Sequence, residues 1–164
     1  MFPAPLIDEA GRLVAAFRAR GMKVVTAESC TGGLLAAVLT EIAGSSDVLE
    51  RGFITYSNAA KEQELGVSGE LLARHGAVSA EVAQAMAVGA LARAGGDVAI
   101  SITGIAGPGG ASLAKPVGLV YLGSALARRP ASHLECRFGE IGRARIRKKA
   151  VEAAFALLWR ALPP

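Results

Sequence analysis

Apolar residues recur at helical spacing over residues 5–20. Leu6, Ile7, Ala10, Leu13, Val14 and Phe17 share one side; Asp8, Glu9, Arg12 and Arg18 fall largely on the other. The pattern predicts an amphipathic helix that stops at Gly21. Lys23 to Thr26 then reads as a short strand, and residues 32–42 as a largely apolar helix. Gly44-Ser45-Ser46 interrupts, and Arg51 to Tyr56 returns to strand character through Phe53, Ile54 and Tyr56. Ser57-Asn58 can cap a helix running through Lys61 to Leu65. After the turn Gly66-Val67-Ser68-Gly69, Glu70 to Arg74 predicts a short helix ending near Gly76. Ser79 suits an N-cap, with Glu81 in the first turn of an Ala-rich helix over 80–94. Asp97 to Thr103 is almost continuously apolar, as a strand covered on both faces is. Pro116 to Ser124 and Ser132 to Phe138 predict two more strands, and Arg143 to Leu162 a terminal helix with Ile146, Val151, Ala154, Leu157 and Leu158 inward.

This alternation predicts a three-layer α/β/α sandwich around a mostly parallel or mixed sheet of about five strands. The last two strands are close in sequence and are expected to pair as an antiparallel hairpin. With no internal repeat, long linker or low-complexity tract, residues 1–164 are expected to form a single domain. Ligands of such sheets sit beyond the C-terminal ends of strands. Three segments fall there: Glu28 to Gly33, Tyr56 to Lys61, and Thr103 to Gly110.

Composition narrows the function classes. Of 164 residues, 52% are hydrophobic and 20% charged, which argues against disorder. No apolar run reaches the ~18 residues a membrane helix needs. Met1-Phe2-Pro3-Ala4-Pro5 has no basic or apolar export signal, so a cytoplasmic protein without a membrane partner is expected. Cys30 and Cys136 make neither a disulfide framework nor a zinc pattern, and no Asp/Glu/His cluster calls for a metal. The net charge of +4 permits anionic partners. With only 5% aromatics and no aromatic-interleaved basic motif, it does not require nucleic acid; a small phosphorylated ligand satisfies the charge balance equally well, and no nucleic-acid partner is expected.

Ser29 ends a buried strand just before a helix. There a hydroxyl can be a cap, an anion-binding group or a nucleophile. A nucleophile needs a base, and neither His75 nor His133 falls at a glycine-rich strand end, so a Ser-His-Asp triad has little support. Lys61 is the better base. In the first turn of its helix the dipole opposes its charge, and burial would oppose it further. The alternative is an ordinary surface lysine. Tyr56 can relay a proton or hold the amine, or simply pack on the core. Cys30 is a rival nucleophile, or a small apolar residue packed at the turn. In Thr103-Gly104-Ile105-Ala106-Gly107-Pro108-Gly109-Gly110, four glycines let backbone approach a ligand and turn N–H groups inward. Thr103 can donate to a phosphate or a polarised carbonyl, or merely end its strand. Arg143 and Arg147 are four apart on one helix face, and either can grip a phosphate.

Taken together, several blocks resemble the CinA C-terminal domain family. They are Thr26-Ala27-Glu28-Ser29-Cys30-Thr31-Gly32-Gly33, Thr55-Tyr56-Ser57-Asn58-Ala59-Ala60-Lys61, Leu65-Gly66-Val67, Gly76-Ala77-Val78-Ser79, the glycine-rich loop from Thr103 to Gly110, and Lys115-Pro116-Val117-Gly118. The resemblance runs from about Val24 into the final helix. It implies a stand-alone nicotinamide-nucleotide amidase, which converts nicotinamide mononucleotide to nicotinate mononucleotide and ammonia in pyridine-nucleotide recycling. It also implies Ser29 as nucleophile, Lys61 as base with Tyr56 beside it, and Thr103 and Arg143 as ligand-binding residues. Backbone around Thr31, Gly32 and Gly33 would serve the oxyanion, and Gly104, Gly107 and Gly109 the nucleotide. The family pattern Gly-Asp-Arg-x-x-Ile-Arg reads here Ile141-Gly142-Arg143-Ala144-Arg145-Ile146-Arg147, with Gly142 in place of the aspartate. No cofactor or metal is implied, and a homo-oligomer, a dimer, is expected. The competing reading is a nucleotide-binding regulatory module that keeps the pocket without turnover.

Overall fold

The computed structural model describes residues 2–163, so the two end residues of the expected 1–164 domain lie outside the described residues. The chain runs α1 (Ala4–Ala19), β1 (Val24–Glu28), α2 (Leu34–Thr40), a 3-10 turn (Ser45–Asp47), β2 (Leu49–Ile54), α3 (Asn58–Leu65), α4 (Gly69–His75), α5 (Ala80–Ala94), β3 (Val98–Gly104), β4 (Leu119–Leu126), β5 (Ser132–Arg137) and α6 (Arg143–Ala161). The sheet order is β2-β1-β3-β4-β5. β1 is parallel to both β2 and β3, while β4 is antiparallel to β3 and to β5. The expected mixed five-stranded sheet and its closing hairpin are therefore what the chain forms.

Every residue of β1 is buried, because its two faces enter two different cores. Val24 packs with Val98, Ile100, Ile102 and Leu122 against α1, α2 and α6. Val25, Ala27 and Ala99 pack against Leu65, Leu72, Val82 and Met86 of α3, α4 and α5. Alternation along the strands thus sends odd residues of β1 and β3 toward α5. Ser101 follows that rule, and its hydroxyl donates to the Ala83 carbonyl of α5 at 2.5 Å. Burial at this density, at ~25 cal/mol per Å² of apolar area, is what holds the layers together.

Several boundaries differ from the pattern-based expectation. β4 begins at Leu119 rather than Pro116, since Pro116 and Gly118 form the turn into it. A Cβ on Gly118 would lie 2.4 Å from the Gly139 carbonyl oxygen. α2 begins at Leu34 rather than residue 32, after a left-handed Gly33 (φ +93°). The cap of α3 is Ser57, whose Oγ accepts from the Ala60 N–H at 3.0 Å, and Asn58 is the first helical residue. Among the described residues no helix is long and apolar enough to cross a membrane.

Candidate active site

The chain leaves β1 toward α2 on one face of the sheet and enters β3 from α5 on the other. Where connections part in this way, a crevice opens at the C-terminal strand ends. A cleft of about 250 Å³ lies there, lined by Ser29, Cys30, Tyr56, Lys61, Ala77, Thr103, Arg143 and the glycine-rich loop.

Register builds its centre. Glu28 pairs with Ile102, and the Ser29 N–H donates to the Ile102 carbonyl at 2.9 Å. Ser29 and Thr103 are thus the next neighbours across parallel strands, on the face that α3 and α5 cover. α3 delivers Lys61 to that face. Its Nζ lies 3.1 Å from Ser29 Oγ and donates to the Thr55 carbonyl at 2.8 Å. Lys61 is 1% exposed, and among the described residues no carboxylate is paired with it. Burial pushes its ammonium below the ordinary lysine value, which the charge of a Cys30 thiolate would only partly offset. A lysine so held can accept the Ser29 proton.

The hydroxyl of Ser29 caps no helix. α2 has no side-chain cap at its N-cap residue, and its Leu35 and Ala36 N–H groups donate instead to the Glu28 carboxylate at 3.0 and 2.9 Å. Glu28 is buried and lies directly before Ser29, so one side chain ties the strand end to the helix that follows. That carboxylate is also one reason Cys30 is a poor nucleophile. Burial above all, then the Glu28 charge, pushes the Cys30 thiol up to about 11.

Tyr56 lines the cleft with Lys61 but is not a hydrogen-bond partner of the amine. Its hydroxyl accepts from Arg143 Nη2 at 3.0 Å, and it is hydrogen-bonded to neither Lys61 nor Ser29. Arg143 also donates through Nη1 to the Gly107 carbonyl at 2.9 Å. Together they form the rim of the cleft, and the main-chain carbonyl of Thr55 holds the amine. Gly142, where the family pattern has aspartate, adopts φ +94°, ψ 145°, a conformation open to glycine, and starts α6 without a side-chain cap.

The turn residues after Ser29 divide. Gly32 and Gly33 line a separate pocket with Phe2, Leu6 and Arg147, not the cleft. Thr31 is buried, and its carbonyl accepts from Arg147 at 2.8 Å. The Gly32 N–H is spent on the Ser29 carbonyl. In the glycine-rich loop, Gly104 and Gly107 make room for protein: a Cβ would come within 2.7 Å of Val120 and 2.8 Å of Val117. Gly109 meets nothing within 4 Å, so its missing side chain leaves space on the cleft. The hydroxyl of Thr103 donates to the Ala77 carbonyl at 2.8 Å. Its single proton is therefore unavailable to a phosphate or carbonyl. Among the described residues no three His, Cys, Asp or Glu side chains gather in a metal-binding group.

Sequence reasoning passes over Glu28, Thr55 and Ala77. Glu28 is the one charged residue of its buried strand, a visible signal. Thr55 and Ala77 act through backbone carbonyls, which carry no residue signature.

A family model described as the CinA C-terminal domain matches residues 8–162. The nicotinamide-nucleotide amidohydrolase PncC of Escherichia coli strain K12 is 53% identical over 146 residues, 88% of this chain and 87% of its own. A CinA-like protein of Syntrophobacter fumaroxidans is 53% identical over 145 residues, 88% of this chain and 34% of that protein. Among solved structures, the competence/damage inducible protein CihA from Agrobacterium tumefaciens matches with a TM-score of 0.96 at 49% identity, covering 98% of both chains. A cleft built on a buried Ser/Lys pair and a glycine-rich strand end thus sits in a sequence similar throughout to these proteins, and the chain belongs to the CinA C-terminal domain family.

Proposed function

We propose that this protein hydrolyses the carboxamide of nicotinamide mononucleotide to nicotinate mononucleotide and ammonia, with Ser29 as nucleophile and Lys61 as general base. The observation that carries the reading is the 3.1 Å approach of a buried, deprotonation-prone lysine to a serine hydroxyl at a strand end. Binding alone needs no such pair. The identity to an amidohydrolase of nicotinamide nucleotides supports the substrate.

The steps follow from the groups present. Neutral Lys61 takes the Ser29 proton as Oγ bonds to the carboxamide carbon. The carbonyl oxygen becomes an oxyanion, for which we assign the N–H of Cys30, the first turn residue after Ser29 and one that lines the cleft, as donor. One such donor is worth ~3 kcal/mol in other hydrolases. Lys61 returns the proton to the amide nitrogen, the C–N bond breaks and ammonia leaves. Water then attacks the acyl ester, giving a proton to Lys61; Lys61 passes it to Ser29 Oγ as the ester C–O bond breaks, which restores Ser29 and releases nicotinate mononucleotide. Arg143, on the cleft rim with N–H groups beyond those given to Tyr56 and Gly107, takes the phosphate.

The test is ammonia release from nicotinamide mononucleotide by wild type, Ser29→Ala and Lys61→Ala. Loss of about a thousandfold or more is expected in both variants. Wild-type rates in both would end the Ser/Lys mechanism, and no ammonia from wild type would end the substrate assignment.

A further inference from the structure

Thr103 is 1% exposed, lines the cleft, and stands beside Ser29 across the β1–β3 register. Its Oγ is 2.8 Å from the carbonyl oxygen of Ala77. A carbonyl has no hydrogen to give, so the threonine proton must lie between the two oxygens. What Thr103 presents to a ligand is lone pairs alone. A phosphate oxygen, a carboxylate or an oxyanion placed there would meet like charge. A group with N–H bonds would find an acceptor already oriented.

We propose, resting on the amidase reading above, that Thr103 accepts a hydrogen bond from the amino group of the substrate carboxamide, and so selects amide over acid. The bond strengthens during the reaction. As Lys61 passes its proton to the departing nitrogen, that nitrogen becomes a cationic donor, and bonds from cationic donors are roughly twice as strong as neutral ones. Thr103 then favours the transition state over the ground state. Once the C–N bond has broken and water has opened the ester, a carboxylate oxygen occupies the place of the amino group. It faces the Thr103 lone pairs, and the product is pushed out. The Ala77 carbonyl sets this polarity, although its side chain takes no part.

Two binding titrations separate this from a merely structural threonine. Ser29→Ala protein, which cannot turn over, is titrated with nicotinamide mononucleotide and with nicotinate mononucleotide. The amide is expected to bind about ten- to a hundredfold more tightly than the acid, the range one lost or opposed hydrogen bond spans. In Ser29→Ala/Thr103→Val, which keeps the shape and loses the acceptor, the two affinities should converge to within about threefold. Ser29→Ala/Thr103→Ser, which can still donate to Ala77, should keep the preference. With Ser29 intact, Thr103→Val should lower kcat/KM and strengthen product inhibition together. Equal weakening of both ligands by Thr103→Val would overturn the proposal, because it would place Thr103 on a part the two share. An unchanged ratio would overturn it too. Ammonia release by wild type reports on the amidase reading separately, so the two can fail independently.

Discussion

At the scale of single residues, Lys61 faces opposite demands from stability and chemistry. Its folded-state pKa is lowered by burial from the ordinary 10.5. Between the lowered value and 10.5, the unfolded chain holds more protons than the folded one, so stability rises with pH through that window. Below the lowered value the full burden of a buried ammonium is present. Lys61→Met removes this linkage. Chemical denaturation across pH 6 to about 10.5 should therefore show wild type gaining on Lys61→Met as pH rises, and a constant gap would mean that the lysine is not buried in solution. The rate has the same sign: activity falls as pH drops through the lowered pKa, because the base becomes protonated. Cys30 gives a second check. With its thiol pushed up to about 11 and 6% exposed, it should resist iodoacetamide in the native protein near neutral pH and react after unfolding. Intact-mass measurement reads this directly, and rapid native labelling would reopen Cys30 as a nucleophile. The sequence singled out Lys61 as a candidate base by its place in the first turn of a helix, against the alternative of an ordinary surface lysine, and only its burial in the fold separates the two. The partner of Tyr56 was not, because Arg143 lies 87 positions away and only the fold brings them together.

At the scale of elements, the site depends on how closely two helices cross. α3 carries Lys61 and packs on α5, where a Cβ on Gly89 would come within 1.9 Å of the Leu65 carbonyl oxygen at the end of α3. Backbone is met there, not a side chain that can swing away. Gly89→Ala should push α3 outward, with a cost of about 2 kcal/mol from overpacking set against the small helical gain of alanine. The loss should appear in kcat more than in KM, because α3 sets the Lys61–Ser29 distance and carries none of the rim residues. A variant with normal melting and normal kcat would refute the close crossing. Glu28 acts on α2 in a comparable way. Glu28→Ala leaves the Leu35 and Ala36 N–H groups without their acceptor, which should cost about 2–4 kcal/mol in denaturant titration. Hydrophobic period made most elements legible: α5 was bounded correctly because Ser79 caps its start through its hydroxyl and the left-handed turn that ends it falls on Gly95, directly after the last periodic residue. The starts of α2 and β4 were displaced because they are set by left-handed glycines and a backbone contact, which periodicity does not record.

At the scale of the whole molecule, the sheet order sets β2, β1 and β3 side by side and so gathers residues far apart in sequence into one cleft. The alternation of helix and strand announced that gathering place, although the sequence left open which turn amides face it. Net charge of +4 fits an anionic ligand, and the size of the cleft, about 250 Å³, fits a small one. Charge and geometry can be told apart by salt. Arg143 lies on the exposed rim, where the attraction to a phosphate is screened within ~10 Å at 0.1 M ionic strength. Lys61 and Ser29 are buried and escape most of that screening. Raising ionic strength from about 0.05 to 0.5 M should therefore raise KM for nicotinamide mononucleotide severalfold and leave kcat nearly constant. Arg143→Ala should start with the higher KM and lose the salt dependence. Nicotinamide riboside, which has the same carboxamide and no phosphate, should show a poor KM that salt hardly changes in either protein. If Arg143→Ala instead lowers kcat at saturating substrate and retains the salt response, the guanidinium serves the reacting end through Tyr56 and Gly107, and another cation holds the phosphate. Arg147, one turn along the same helix and bonded to the Thr31 carbonyl, is then the residue to substitute next.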